Sequence, residues 1–177
     1  MGIVSTSVRF DERTPDPRAI AAAVSELCGL PVSVAVKGAP GDTLFAMNVR
    51  LAFDAAPDVS VELFSYRHGV EGPAGSPLDG HSVHLRSYIG QELTMYWTAA
   101  LSLERIGGTI ARSPSDEIRQ RYGRRLTRWE LRGRVWKLRA ATLAVLPIAA
   151  VALPVNLVVW TVRGLWSVGR PGKGGQR

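Results

Sequence analysis

Three stretches in the first half of the chain alternate apolar and polar residues with the period of a β-strand. They read PVSVAVK, TLFAMNVRLAF and VSVELFSYR, and the turn-like sequences GAPGD and DAAPD separate them. In the second stretch one set of alternate positions is apolar throughout: Phe45, Met47, Val49, Leu51 and Phe53. The opposite positions include Asn48, Arg50 and Asp54. We therefore expect an antiparallel meander with one buried face, which helices cover.

Further elements flank this meander. GIVSTSVRF predicts a preceding strand, and DPRAIAAAVSELCGLP predicts a helix that begins at Asp16 and ends at Gly29. HSVHLRSYI predicts a later strand, and GQELTMYWTAALSLERIGG predicts a second helix. Residues 1–114 are therefore expected to form an α+β domain, an open antiparallel sheet of four to five strands with helices on one face. A ferredoxin-like arrangement is one candidate topology.

Residues 115–139 predict a basic amphipathic helix, with Ser113 as its cap and Pro114 in its first turn. One interpretation is a solvated helix that packs on the first domain. We favour a helix on a membrane surface, with tryptophans at the interface, because an apolar segment follows directly. The candidate membrane-contacting residues are Arg124, Arg125, Arg128, Trp129, Arg132 and Trp136, with Trp160 near the far end of the apolar segment.

The apolar segment, residues 140–162, contains 23 uncharged residues. As a helix it measures about 35 Å, enough to cross a hydrocarbon layer of about 30 Å. Pro147 and Pro154 disfavour a straight helix, so a re-entrant segment stays open as an alternative, as does a buried helix of a soluble core. We expect one C-terminal transmembrane helix, followed by a short, basic, disordered tail at residues 163–177.

Charge is distributed unevenly along the chain. Residues 1–114 carry nine Lys or Arg and twelve Asp or Glu, whereas residues 115–177 carry thirteen and three. Basic residues beside an apolar segment favour anionic lipid as a partner and make nucleic acid a weaker alternative. Nine basic residues lie within 119–139 and four within 163–177. The positive-inside rule then predicts a single-pass protein of the cytoplasmic membrane, with its N-terminal domain in the cytoplasm.

No familiar catalytic or metal-binding pattern occurs in the sequence. Cys28 is the single cysteine, so it forms no internal disulfide, and its place among apolar helix positions predicts a core residue. His81 and His84 lie three apart on a predicted strand, which sends their side chains to opposite faces. We therefore expect no cofactor and no enzymatic activity, and an active site built from unfamiliar loop residues stays open as an alternative.

Two predicted strands each present polar and aromatic residues on one side. These residues are Glu62, Phe64, Tyr66, His84, Arg86 and Tyr88. If the strands are neighbours, the residues form one uncovered surface suited to a protein partner, unless Phe64 and Tyr66 pack beneath a helix. We interpret the chain as a membrane-anchored, non-enzymatic protein-binding module of the immunity, adaptor or regulatory kind. The alternative function is binding of anionic lipid or nucleic acid through the arginine-rich helix.

Overall fold

The computed structural model describes residues 3–38, 42–71, 79–88, 93–137, 139–141 and 143. The chain forms an α+β fold with one antiparallel sheet and several helices. In chain order the elements are β1 (Ile3–Arg9), α1 (Pro17–Cys28), β2 (Val32–Val36), β3 (Phe45–Phe53), β4 (Ala56–Tyr66), β5 (Ser82–Tyr88), α2 (Thr94–Arg105), β6 (Thr109–Ile110), α3 (Asp116–Tyr122) and α4 (residues 128–137).

The sheet has six strands in the order β2-β3-β4-β5-β1-β6, and every neighbouring pair is antiparallel. The open antiparallel sheet is confirmed, but its six strands exceed the predicted four to five. Strand β6 was missed because two residues are too few to show alternation. The ferredoxin-like topology is wrong, because four strands rather than two lie between α1 and α2.

One face of the sheet is buried beneath α1 and α2, which also contact each other. Leu51, Leu63 and Leu85, from three neighbouring strands, are each 0% exposed on this face. Helix α1 has the predicted ends: Asp16 accepts a hydrogen bond from the Arg18 amide at 2.8 Å, and Gly29 closes the helix with φ at 72°. The alternation of apolar residues therefore placed the core correctly, except at Phe45.

Phe45 does not lie on the face that the alternation predicts. A β-bulge between Phe45 and Met47 interrupts the pairing of β3 with β4. An extra residue in one strand shifts the side chains beyond it to the other face. Met47 is buried, whereas Phe45 stacks on Tyr66 of the opposite face with ring centroids 5.4 Å apart.

The single helix expected over residues 115–139 is instead two helices, α3 and α4, separated by residues 123–127. Ser115, rather than Ser113, caps α3 by accepting a hydrogen bond from the Ile118 amide. Thr127 and Glu130 begin α4 with a reciprocal capping box, in which each side chain accepts a hydrogen bond from the other residue's amide. Hydrogen bonds from the Arg124 guanidinium and from the Thr127 amide lower the pKa of Glu130 to about 2.

The compact unit extends from Met1 to Trp136, beyond the boundary expected at residue 114. Leu126 and Leu131 are buried in the same core as the sheet, which explains why the unit includes α3 and most of α4. The Leu126 amide also donates to the Cys28 carbonyl at 2.7 Å. Cys28 itself is 0% exposed, as predicted for a core residue, and burial raises the pKa of its thiol.

The second unit, Lys137–Arg177, lies largely outside the described residues, of which it includes 137, 139–141 and 143, all helical. The predicted transmembrane helix at 140–162 and the tail at 163–177 therefore fall mostly or wholly outside them. Among the residues that the structure describes, no helix combines the length and the apolar character that a membrane crossing requires.

Candidate functional site

The two strands that carry the predicted binding residues are neighbours in the sheet. Glu62 lies opposite Arg86, and Phe64 lies opposite His84, in the register of β4 with β5. All six predicted residues are intermediate in exposure, on the face away from α1 and α2. The alternative, that Phe64 and Tyr66 pack beneath a helix, does not hold for the described residues. We call these six residues, together with Phe45, the open face.

Aromatic rings on the open face contact one another directly. The Phe64 and His84 rings stack with centroids 5.0 Å apart and an interplanar angle of 17°. Tyr66 meets the His84 ring edge-on at 5.4 Å, and Phe45 meets Phe64 edge-on at 5.7 Å. The Arg86 guanidinium lies 5.1 Å from the Phe64 ring centroid, a cation–π distance. These contacts hold four rings and one cation in a fixed arrangement.

His84 is the most constrained polar group of the open face. Its Nε2 atom is buried and has no hydrogen-bond partner among the described residues. Burial lowers the pKa of His84, and the charge of Asp79 partly opposes that effect. The imidazole is therefore neutral at neutral pH and behaves as a fourth aromatic ring of the cluster.

Charged residues beside the cluster were not all found from the sequence. Lys37 forms an ion pair with Glu62, and the Arg50 Nε atom donates to Ser60 Oγ at 2.8 Å. Arg86 takes part in none of the ion pairs found among the described residues. No described carboxylate therefore lies within 4 Å of its guanidinium. Alternation in β3 had marked Arg50 as facing outward, whereas no sequence signal revealed the bulge that brings Phe45 to the open face.

The candidate membrane-contacting residues divide into two groups. Trp129 and Trp136 are 80% and 69% exposed, and Arg125, Arg128 and Arg132 are also exposed. We call the four of these residues that lie on α4, Trp129, Trp136, Arg128 and Arg132, the outer face of α4. By contrast, Arg124 pairs with Glu130 at 2.6 Å.

Arg134, also on α4, turns inward. It donates to Thr94 Oγ1 at 2.8 Å and lies over the Tyr122 ring. Trp160 lies outside the described residues.

The arrangement of the open face suits recognition. Its side chains supply aromatic surface, one cation and a neutral imidazole. Across the described part of the chain, no group of three or more His, Cys, Asp or Glu side chains is placed to hold a metal ion. In comparisons with known proteins, no protein-family model, no curated protein and no solved structure matches this chain.

Proposed function

We propose that this chain is a membrane-associated, non-enzymatic protein-binding module whose open face binds a partner protein. The observation that carries the proposal is the ring cluster of Phe45, Phe64, Tyr66 and His84, which is half-exposed on a sheet face that no described helix covers. An immunity, adaptor or regulatory protein would use such a surface.

A partner that covers the open face would gain binding free energy from its aromatic and arginine side chains. Aromatic and arginine side chains contribute most of the binding free energy at many protein interfaces, because they bury large areas with little loss of conformational freedom. Mutual stacking already fixes Phe64 and His84, so little further ordering is needed on binding. Arg86 adds a cation that can meet a carboxylate of the partner.

Affinity capture with the detergent-solubilised full-length protein tests this proposal. Phe64→Ala, Tyr66→Ala and Arg86→Ala should each remove about 2 kcal/mol or more from binding of the captured partner, roughly a thirtyfold loss. Glu26→Ala, at an exposed position of α1, is the matched control and should leave capture unchanged. Capture that survives all three open-face substitutions would refute the proposal.

The membrane part of the proposal depends on α4 and the segment after it. We propose that residues 140–162 form a single span of the cytoplasmic membrane, with the compact unit on the cytoplasmic side. Two tryptophans seven positions apart lie on the same side of a helix, and α4 presents Trp129 and Trp136 in this way beside Arg128 and Arg132. Amphipathic tryptophan and cationic arginine are the residues that favour the bilayer interface.

The exposure of this outer face supports a second candidate function, binding of anionic lipid through α4. In bilayer discs containing phosphatidylglycerol, Trp129→Ala with Trp136→Ala should increase amide hydrogen exchange along α4, and removing phosphatidylglycerol should do the same. Glu117→Ala, at an exposed position of α3, is the control. If exchange is insensitive to lipid but responds to added RNA, the basic helix binds nucleic acid instead.

A further inference from the structure

Within the described part of the chain, the outer edge of β1 is only partly paired. Strand β1 pairs with β5 along its whole length, from Ile3 to Arg9. On its other side, β6 pairs with Val8 and Arg9 alone, and the Ala111 amide adds one hydrogen bond to the Ser7 carbonyl. Among the described strands, none lies beside residues 3–6 on this side.

Two hydrogen bonds establish which backbone groups face this edge. The Phe10 amide donates to the His81 carbonyl at 3.0 Å on the β5 side, whereas the Ser7 carbonyl accepts from Ala111 at 2.9 Å on the β6 side. In an antiparallel strand, the amide and carbonyl of one residue point the same way, and the direction alternates along the chain. The amide and carbonyl of Ser5 therefore point toward the unpaired edge.

A cleft of about 420 Å³ lies alongside this edge. Its apolar walls are Val4 on β1, Tyr96 and Trp97 on α2, and Ile118 on α3. Pro114, in the segment that leads into α3, completes them. A strand added beside β1 would direct every second side chain toward the covered side of the sheet, where these residues lie. The cleft thus offers apolar surface on the side to which an added strand would direct its alternate side chains.

Arg112 lines the same cleft and is exposed. The ion pairs found among the described residues involve other side chains, so no described carboxylate lies within 4 Å of its charged atoms. Residues 3–7 also lack the charged or proline residues that commonly protect a strand edge from pairing. The backbone edge, the apolar cleft and the cation lie side by side.

We propose that this edge binds an extended peptide segment of a partner, by strand addition to β1. The peptide places an apolar side chain in the cleft and a carboxylate against Arg112. Main-chain hydrogen bonds to Ser5 supply affinity, and the cleft and Arg112 supply specificity. This edge is distinct from the open face and does not depend on the function proposed for it.

The test uses the full-length protein in detergent and two synthetic peptides, each a short run of alternating valine and threonine with blocked ends. One peptide has glutamate as its last residue and the other has lysine. Calorimetry should show that the glutamate peptide binds about tenfold more tightly, the effect of one charge-assisted hydrogen bond. Arg112→Glu should reverse that preference. Equal binding of both peptides by the wild type, or no binding of either, overturns the proposal.

A backbone variant separates strand addition from simple charge attraction. Ser5→Pro removes an amide that does not pair with β5, so it should leave the sheet intact and abolish binding of the glutamate peptide. In the wild-type protein, hydrogen exchange at the Ser5 amide should slow on addition of that peptide. Phe64→Ala should not alter peptide binding. Undiminished binding by a folded Ser5→Pro protein, or loss of binding with Phe64→Ala, would overturn the edge proposal.

Discussion

The two faces of the sheet are built from alternate residues of the same strands, yet they differ in what they can do. Leu63 is 0% exposed beneath the helices, while its chain neighbour Phe64 is half-exposed on the other side. Burial of apolar side chains stabilises the fold, whereas partly exposed rings retain apolar area that a partner can still cover. The side chains that stabilise the fold and those that we propose bind a partner are therefore adjacent along the backbone.

The largest expected loss of stability comes from truncating a side chain on the covered face. Leu63→Ala should lower the free energy of unfolding by about 2–5 kcal/mol, because it removes apolar burial and leaves a cavity. Phe64→Ala should lower it by less, since that side chain is only partly buried. Chemical denaturation of both variants measures the difference. Equal losses would mean that the open face belongs to the core.

A substitution at the edge of the covered face should destabilise the protein nearly as much. A Cβ atom at Gly108 would lie 2.4 Å from Val8 Cγ1 and 2.9 Å from the Leu103 carbonyl oxygen. Gly108→Ala should therefore destabilise the protein by about 1–3 kcal/mol through overpacking. Thermal unfolding monitors this loss, and unchanged stability would show that α2 and β6 are not held together as closely as these distances indicate.

Replacing a glycine on α4 should have the opposite effect and stabilise the protein. A Cβ atom at Gly133 would meet no atom of the described residues within 4 Å. Glycine within a helix is about 0.8–1.0 kcal/mol less favourable than alanine, so Gly133→Ala should stabilise α4 by about that amount. Circular dichroism during thermal unfolding provides the measurement. A destabilised variant would indicate that this side of α4 is covered in the protein.

The smallest expected effect is a pH dependence that belongs to the open face. Burial lowers the pKa of His84 from its usual value of 6.5, so the unfolded chain binds this proton more tightly than the folded one. The free energy of unfolding should therefore fall as the pH drops below 6.5, until the folded-state pKa is passed. Denaturation of wild type and His84→Gln across this range isolates the contribution, which should be absent from the variant.

Sequence alternation predicted the faces of β4 and β5 because their side chains follow the period of an unbroken strand. It failed at Phe45, where a bulge adds one residue and reverses the direction of the side chain. The open face was therefore predicted except for the ring that extends its cluster toward β3. A β-bulge depends on how one strand pairs with its neighbour, and the pattern of a single strand does not show that pairing.

The helix expected over 115–139 failed for a related reason. Apolar residues continue at helical spacing through Tyr122 and Leu126, so periodicity alone predicts one helix. The capping box at Thr127 and Glu130 starts a second helix. A T-x-x-E pattern is readable in the sequence, and together with Gly123 it was the available signal for the break.

Cys28 gives this protein its own reporter of structural opening. The thiol is the only one in the chain, it is 0% exposed, and burial raises its pKa, so the reactive thiolate is scarce in the native state. The backbone carbonyl of Cys28 accepts a hydrogen bond from the Leu126 amide, which lies in the segment between α3 and α4. A thiol reagent should therefore modify the native protein only during openings that separate α1 from residues 123–127, and the labelling rate would count those events without any introduced probe.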